Sequence, residues 1–171
     1  RHGGTALDYT VNAKVGFPYL TGHPDDDRPV NHVLPAWDIT TAYLAAIDIL
    51  AAERHRRITG KGQQIKLALA DVALSTMGHL GYIGEVTINK HERQRHGNYL
   101  YGALGRDFKT SDGERIMLIA INAKQWTGLL KATGIGDEVA QLEHLMQLDF
   151  STEGGRFEAR VELSRLLEPW F

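Results

Sequence analysis

Hydrophobic positions recur at helical spacing most clearly across residues 38–57. There Ile39, Tyr43, Ala46, Ile47 and Leu50 form one stripe, and Ala42, Ala45, Ile49 and Ala52 widen it. So broad an apolar surface predicts a long, deeply buried helix. Arg54, Arg56 and Arg57 fall in its last turn, and Gly60 and Gly62 end it. Residues 5–14 predict a short amphipathic helix, followed by loop at Gly16, Pro18, Gly22 and Pro24. Residues 64–69 alternate, as a short strand or extended lead-in does, before a second helix over 70–82. Gly78, Gly81 and Gly84 recur there at spacing three. Each weakens a helix interior by about 1 kcal/mol against alanine, so they mark either a fraying end or a face against which another backbone packs.

Beyond a polar run at 91–97, which reads as a linker, the period changes from helical to alternating. Residues 104–109 and 116–121 flank Ser111-Asp112-Gly113-Glu114 and predict a hairpin on an Asp-Gly turn. Helical periodicity then returns over 122–133, with Trp126, Leu129 and Leu130 on one face, and again over 138–148 and 156–167. Two modules result: residues 1–90, helical with a little extended chain, and residues 98–171, a small antiparallel sheet with helices. The fold class is α/β.

Composition excludes more than it selects. The 171 residues are 43% hydrophobic and 23% charged, ordinary for a globular protein. A net charge of −2 offers no global attraction to nucleic acid or to an anionic membrane. The absence of cysteine excludes a thiol nucleophile, a disulfide framework and thiolate-bound zinc, and fits a cytoplasmic setting. No apolar run approaches the ~20 residues of a membrane span. The chain opens Arg1-His2-Gly3-Gly4 without methionine and closes in mid-helix pattern at Pro169-Trp170-Phe171, which predicts an internal piece of a larger protein.

Chemistry concentrates at one point. Asp38 stands at the mouth of the long helix, preceded by Pro35-Ala36-Trp37. An aspartate there is a good N-cap, because its oxygen accepts first-turn N–H groups. The same place suits a carboxylate that reacts, since a helix N-terminus stabilises developing negative charge. Arg54, Arg56, Arg57 and Lys61 form a basic cluster, either a solvated helix end or a contact for the phosphates of a nucleotide-like cofactor. Asp25-Asp26-Asp27-Arg28 reads as a solvated turn, because the spacing of a calcium loop is missing. The eight histidines show no metal-ligand spacing, so no metal is expected.

Several segments together resemble the family III CoA-transferases, the CaiB/BaiF family, which includes formyl-CoA transferase, carnitine CoA-transferase and the 2-methylacyl-CoA racemases. Residues 48–73 are similar to the family's GILAALxxRxxTGxGQxVxxxxxDA block, with Thr59-Gly60-Lys61-Gly62-Gln63 at its centre and Asp71 near its end. Gly16-Phe17-Pro18-Tyr19-Leu20-Thr21-Gly22 resembles its SGxxxxTG loop. Arg95-His96-Gly97-Asn98, Phe108-Lys109-Thr110-Ser111-Asp112-Gly113 and Gln125-Trp126 resemble the start of its small domain.

The resemblance implies a helix-rich part of a Rossmann-like large domain, then a small α/β domain with a short antiparallel sheet, in a homodimer of interlocked chains. It implies acyl-CoA and a small carboxylic acid as substrates, with no tightly bound cofactor. It implies CoA transfer through an aspartyl-CoA thioester, with Asp38 as the carboxylate that forms it. Asp8 is then a possible support for the site, its alternative being a surface position on a helix. Leu69 would lie near the CoA adenine, and Arg57 and Lys61 near its phosphates. The racemase branch of the family needs a histidine in a Gly-His-Asp segment, which here reads Ala6-Leu7-Asp8. Leucine cannot move a proton. That favours transferase over epimerase, with His2 and His32 as the nearby histidines. The third alternative is a non-catalytic dimerisation core.

Overall fold

The computed structural model describes residues 5–171, so Arg1 to Gly4, and with them His2, lie outside the described residues. The chain divides into two compact units, Arg1–Arg95 and His96–Phe171.

The described part of the first unit is helical. Helix α1 (Asp8–Lys14) is followed by a four-residue turn of helix, α2 (Phe17–Leu20), by the long α3 (Ala36–Thr59), and by α4 (Leu69–His79) and α5 (Tyr82–Thr87). Residues 61–68 belong to no helix or strand, and Ala68 is extended where it leads into α4, so of the two readings of 64–69, a short strand or an extended lead-in, the strand does not form. Helix α3 ends as its sequence predicts. Gly60 adopts a left-handed conformation (φ 73°) and its N–H caps the carbonyl of Arg56 at 2.8 Å. The glycine series resolves as a break. Gly81 turns the chain with φ 80°, ending α4 and starting α5. A Cβ on Gly78 or Gly84 would meet nothing closer than an isoleucine methyl at 3.8 Å, so no backbone packs tightly there.

The core of this unit is small: Val11, Trp37 and Ala73, backed by Val15, Phe17, Leu69 and Ala70. Here expectation and structure part. The wide apolar stripe of α3 predicts burial, yet Trp37 is its one buried residue, and Tyr43, Ile47, Ile49 and Leu50 are exposed. Among the described residues α1 and α4 are the main helices packed against α3, too little to cover 24 residues. The expected linker is also more than a linker. Arg95 is buried, and its guanidinium donates to the carbonyls of Tyr19, Asp26, Asp27 (3.1 Å) and Arg28 (2.9 Å), tying down the acidic turn. On that turn the Arg28 side chain holds the half-buried Asp26 carboxyl down at about 2.

The second unit has the predicted hairpin. Strand β1 (Leu104–Lys109) pairs antiparallel with β2 (Arg115–Ala120), in register from Leu104 opposite Ala120 to Lys109 opposite Arg115. Gly113 takes the positive φ (93°) that the turn requires. Helices α6 (Ala123–Thr133), α7 (Gly136–Met146), α8 (Glu153–Glu158) and α9 (Arg160–Leu167) pack on it, closing with a 3₁₀ turn at Glu168–Trp170. The helix expected over 156–167 is thus two, broken at Ala159. Leu104, Phe108, Trp126, Phe150, Leu163 and Leu167 form one contiguous core. Arg156 is fully buried within it. Its guanidinium donates to the carbonyls of Phe150 (2.7 Å), Ser151 (3.0 Å) and Ile121 (2.6 Å), and burial pushes its pKa below the usual arginine value. Among the described residues no helix is long and apolar enough to cross a membrane.

Candidate active site

The start of α3 is where the candidate chemistry lies. A helix begins with N–H groups that have no partner inside the helix, and each must find one. In α3 the N-cap position is Pro35, which has no side-chain acceptor, and the helix begins at Ala36. Asp38 is therefore the third helical residue rather than the cap, a correction to the capping role expected from its sequence position. The first-turn donors go elsewhere. Ala36 N–H reaches the carbonyl of Leu34 (2.8 Å) and Ile39 N–H that of Pro35 (3.1 Å). The two between them, Trp37 N–H and Asp38 N–H, both donate to Oδ2 of Asp8, at 2.7 and 3.0 Å.

Asp8 opens α1, 30 residues earlier, and is 2% exposed, so it is not a surface residue. Asn12, one turn further along α1, is also buried. Its Oδ1 accepts the indole N–H of Trp37 at 3.1 Å, and its Nδ2 donates to Oδ1 of Asn31 at 3.1 Å. Phe17 packs edge-on to the Trp37 ring with centroids 5.1 Å apart. The result is a rigid floor under Trp37 and Asp38. The Asp38 side chain is exposed, and no described residue donates a hydrogen bond to its carboxylate. A free carboxylate at the positive end of a helix on a fixed backbone can act as a nucleophile or take up a proton.

Among the described residues of this unit, further polar atoms lie out of solvent with no hydrogen-bond partner: Oδ1 of Asp8, Oγ1 of Thr41, and both ring nitrogens of His32. His32 sits against Tyr9, ring centroids 6.4 Å apart. Asn12 and Thr41 did not stand out in the sequence. The signal available for Asn12 was its spacing of four from Asp8, which places both side chains on one face of a helix.

The remaining predicted positions are scattered. Leu69 begins α4 and packs into the core beside Trp37. Arg57 is exposed and paired with Glu53 at 2.8 Å, and Arg56 pairs with the same carboxylate at 2.6 Å. Those two guanidinium groups hold Glu53 below the usual carboxylate range. Lys61 is exposed beyond the helix end, its backbone N–H on Thr59 Oγ1 at 3.1 Å. Arg57 and Lys61 thus lie at the far end of α3 from Asp38. An apolar cavity of about 490 Å³ lined by Tyr19, Met77, Tyr82, Ile83 and Val86 contains none of the predicted site residues. Among the described residues, no group of three or more histidine, aspartate or glutamate side chains could hold a metal ion.

The model of CoA-transferase family III matches residues 1–171, the whole chain. The chain belongs to CoA-transferase family III. Within the family it is 54% identical, over 171 residues, to a 2-methylfumaryl-CoA isomerase of Chloroflexus aurantiacus, covering 100% of this chain and 42% of that protein. It is 29% identical to a succinyl-CoA:mesaconate CoA-transferase of Haloarcula hispanica, covering 99% of this chain and 40% of that one. Its fold matches the crystal structure of a CaiB/BaiF family protein from Brucella suis with a TM-score of 0.70 at 26% identity, covering 98% of this chain and 43% of that one. The chain spans about two fifths of the length of these family III CoA-transferase relatives. The helix-rich architecture with one small antiparallel sheet is the family's.

Proposed function

We propose that the protein moves coenzyme A between carboxylates, with Asp38 as the covalent carrier. The observation that supports this most is the free, exposed Asp38 carboxylate on a backbone held by Asp8. In the first step an Asp38 oxygen attacks the thioester carbonyl. The C–S bond breaks, leaving a mixed anhydride and CoA thiolate. The thiolate then attacks the aspartyl carbonyl, releasing the acyl group as a carboxylate and forming aspartyl-CoA thioester. The acceptor carboxylate attacks that thioester, giving a second anhydride and thiolate. Thiolate attack on its acyl carbonyl forms the new CoA thioester and returns Asp38 as a carboxylate. No net proton, reductant or metal is needed. The N-terminus of α3 stabilises the oxyanion developing at each addition. Leu69, Arg57 and Lys61 are the positions proposed for CoA contacts, Leu69 near the adenine and the two cations near phosphate.

The relative at 54% identity is named for an isomerisation, which fits the same chemistry when donor and acceptor share one molecule. The acyl group of 2-methylfumaryl-CoA carries a second, free carboxylate. Transfer of CoA from one carboxyl of a dicarboxylate to the other is then an isomerisation. Leu7, standing where a proton-moving histidine would be needed, argues against epimerisation at an α-carbon as the alternative.

The test is incubation of the full-length protein with 2-methylfumaryl-CoA in the presence of isotopically labelled free 2-methylfumarate. Conversion between the two thioester isomers without label in the product supports transfer within one molecule. Label in the thioester means transfer between molecules. Exchange of carbon-bound hydrogen with deuterated water, with no movement of CoA, would sink the transferase reading.

A further inference from the structure

Asp8 and Asn12 lie one turn apart on α1, so their side chains leave the same helix face. Both reach the start of α3. Asp8 Oδ2 takes the backbone N–H groups of Trp37 and Asp38, and Asn12 Oδ1 takes the Trp37 indole. All three clamping side chains are buried: Asp8, Asn12 and Trp37. As a mere cap this arrangement is poor. A serine or aspartate at position 35 would satisfy the same donors at the surface, with no carboxylate taken out of water. Here a carboxylate is buried and its second oxygen, Oδ1, has no partner at all. What the arrangement achieves is a separation of roles. The negative group that faces the positive end of α3 is Asp8, so the Asp38 side chain is left out of the capping. Asn12 adds a second grip and passes it to Asn31 in the preceding loop.

We propose that Asp8 is a positioning residue. Through the Trp37 and Asp38 amides, and with Asn12 on the Trp37 ring, it fixes the Asp38 backbone and frees the Asp38 carboxylate to attack the acyl carbon. This rests on the reading of Asp38 as the carrier. The Asp8 carboxylate itself touches no reacting atom. It sets the rate at which Asp38 forms its bond, while the affinity for the CoA thioester does not depend on it.

The test is single-turnover labelling of the full-length protein with 2-methylfumaryl-CoA, quenched with hydroxylamine and read by mass on the Asp38 peptide. Rate constant and final amplitude are recorded separately. A misfolded fraction lowers the amplitude, whereas a misplaced nucleophile lowers the rate constant. Asp8→Ala is expected to slow labelling about 100-fold at full amplitude, the loss that follows a misplacement of about 1 Å. Asp8→Asn keeps an acceptor oxygen but loses the charge at the helix end, and Asn12→Ala loosens only the ring, so each is expected to slow labelling about tenfold. KM for the thioester stays within about twofold throughout, because the interaction lost acts in the transition state rather than in ground-state binding. Asn122→Ala, which removes a helix cap in the other unit, lowers thermal stability and leaves the rate constant unchanged. A wild-type rate constant in Asp8→Ala overturns the proposal. So does one in Asp8→Asn if the alanine variant fails to fold. Amplitude falling in step with stability, as a purely structural role requires, also overturns it. If the wild-type protein itself gives no Asp38 label, the carrier reading has failed, and the positioning role falls with it.

Discussion

Two helices of this chain begin in opposite ways. Helix α6 supplies its own cap. Asn122 accepts the N–H of Gln125 at 2.9 Å, and the Gln125 side chain accepts the N–H groups of Asn122 (3.1 Å) and Ile121 (3.0 Å), a closed reciprocal box. Both side-chain oxygens at that start, Asn122 Oδ1 and Gln125 Oε1, are occupied by its own backbone. Helix α3 has proline at the cap position and imports its acceptor from Asp8, 30 residues away. Its own aspartate stays free. A helix start capped from within is a structural device. One capped from elsewhere, with an unengaged carboxylate in its first turn, can be a reactive one.

The largest expected effect separates the two outright. Asp38→Ala in the full-length protein should lower CoA movement about 10⁴-fold or more, the scale of losing a covalent nucleophile, while Asn122→Ala leaves turnover unchanged. Equal loss in both would break the comparison. Next comes Arg156, whose buried guanidinium holds the Ile121 carbonyl at the lead-in to α6. Arg156→Met strands three carbonyls in the core and should destabilise the second unit by about 3 kcal/mol, measured by urea unfolding. Asn122→Ala itself should cost about 1 kcal/mol in the same assay, the usual worth of a cap.

The smallest effect is electrostatic. Asp107 on β1 is held below its ordinary 3.8 by hydrogen bonds from Asn98 and then from Arg115 across the hairpin that feeds α6. A carboxylate depressed on folding contributes its stability above the unfolded value and loses it as pH falls through the folded one. Asp107→Asn should therefore flatten the decline in stability below pH 3.8, by about 0.5 kcal/mol for a pair this near the surface.

Local devices were legible in the sequence and long-range ones were not. The hairpin was visible because alternation and an Asp-Gly turn act over neighbours, and Gly60 marked the end of α3 for the same reason. The Asp8 clamp joins residues 30 apart and depends on how α1 packs, which no local pattern encodes. The apolar stripe of α3 promised burial, but periodicity states only that a face is apolar, and Tyr43 and Leu50 stand exposed. Likewise a capping aspartate and a reactive one look identical in sequence. Only the accounting of first-turn N–H groups tells them apart.

The most direct measurement of whether Asp38 carries the acyl group is the mass of its peptide after the full-length protein meets 2-methylfumaryl-CoA and hydroxylamine. An aspartyl hydroxamate is expected at Asp38, absent in Asp38→Ala and absent without the thioester. An unmodified Asp38 in protein that turns the substrate over, or a hydroxamate on another residue, would contradict it.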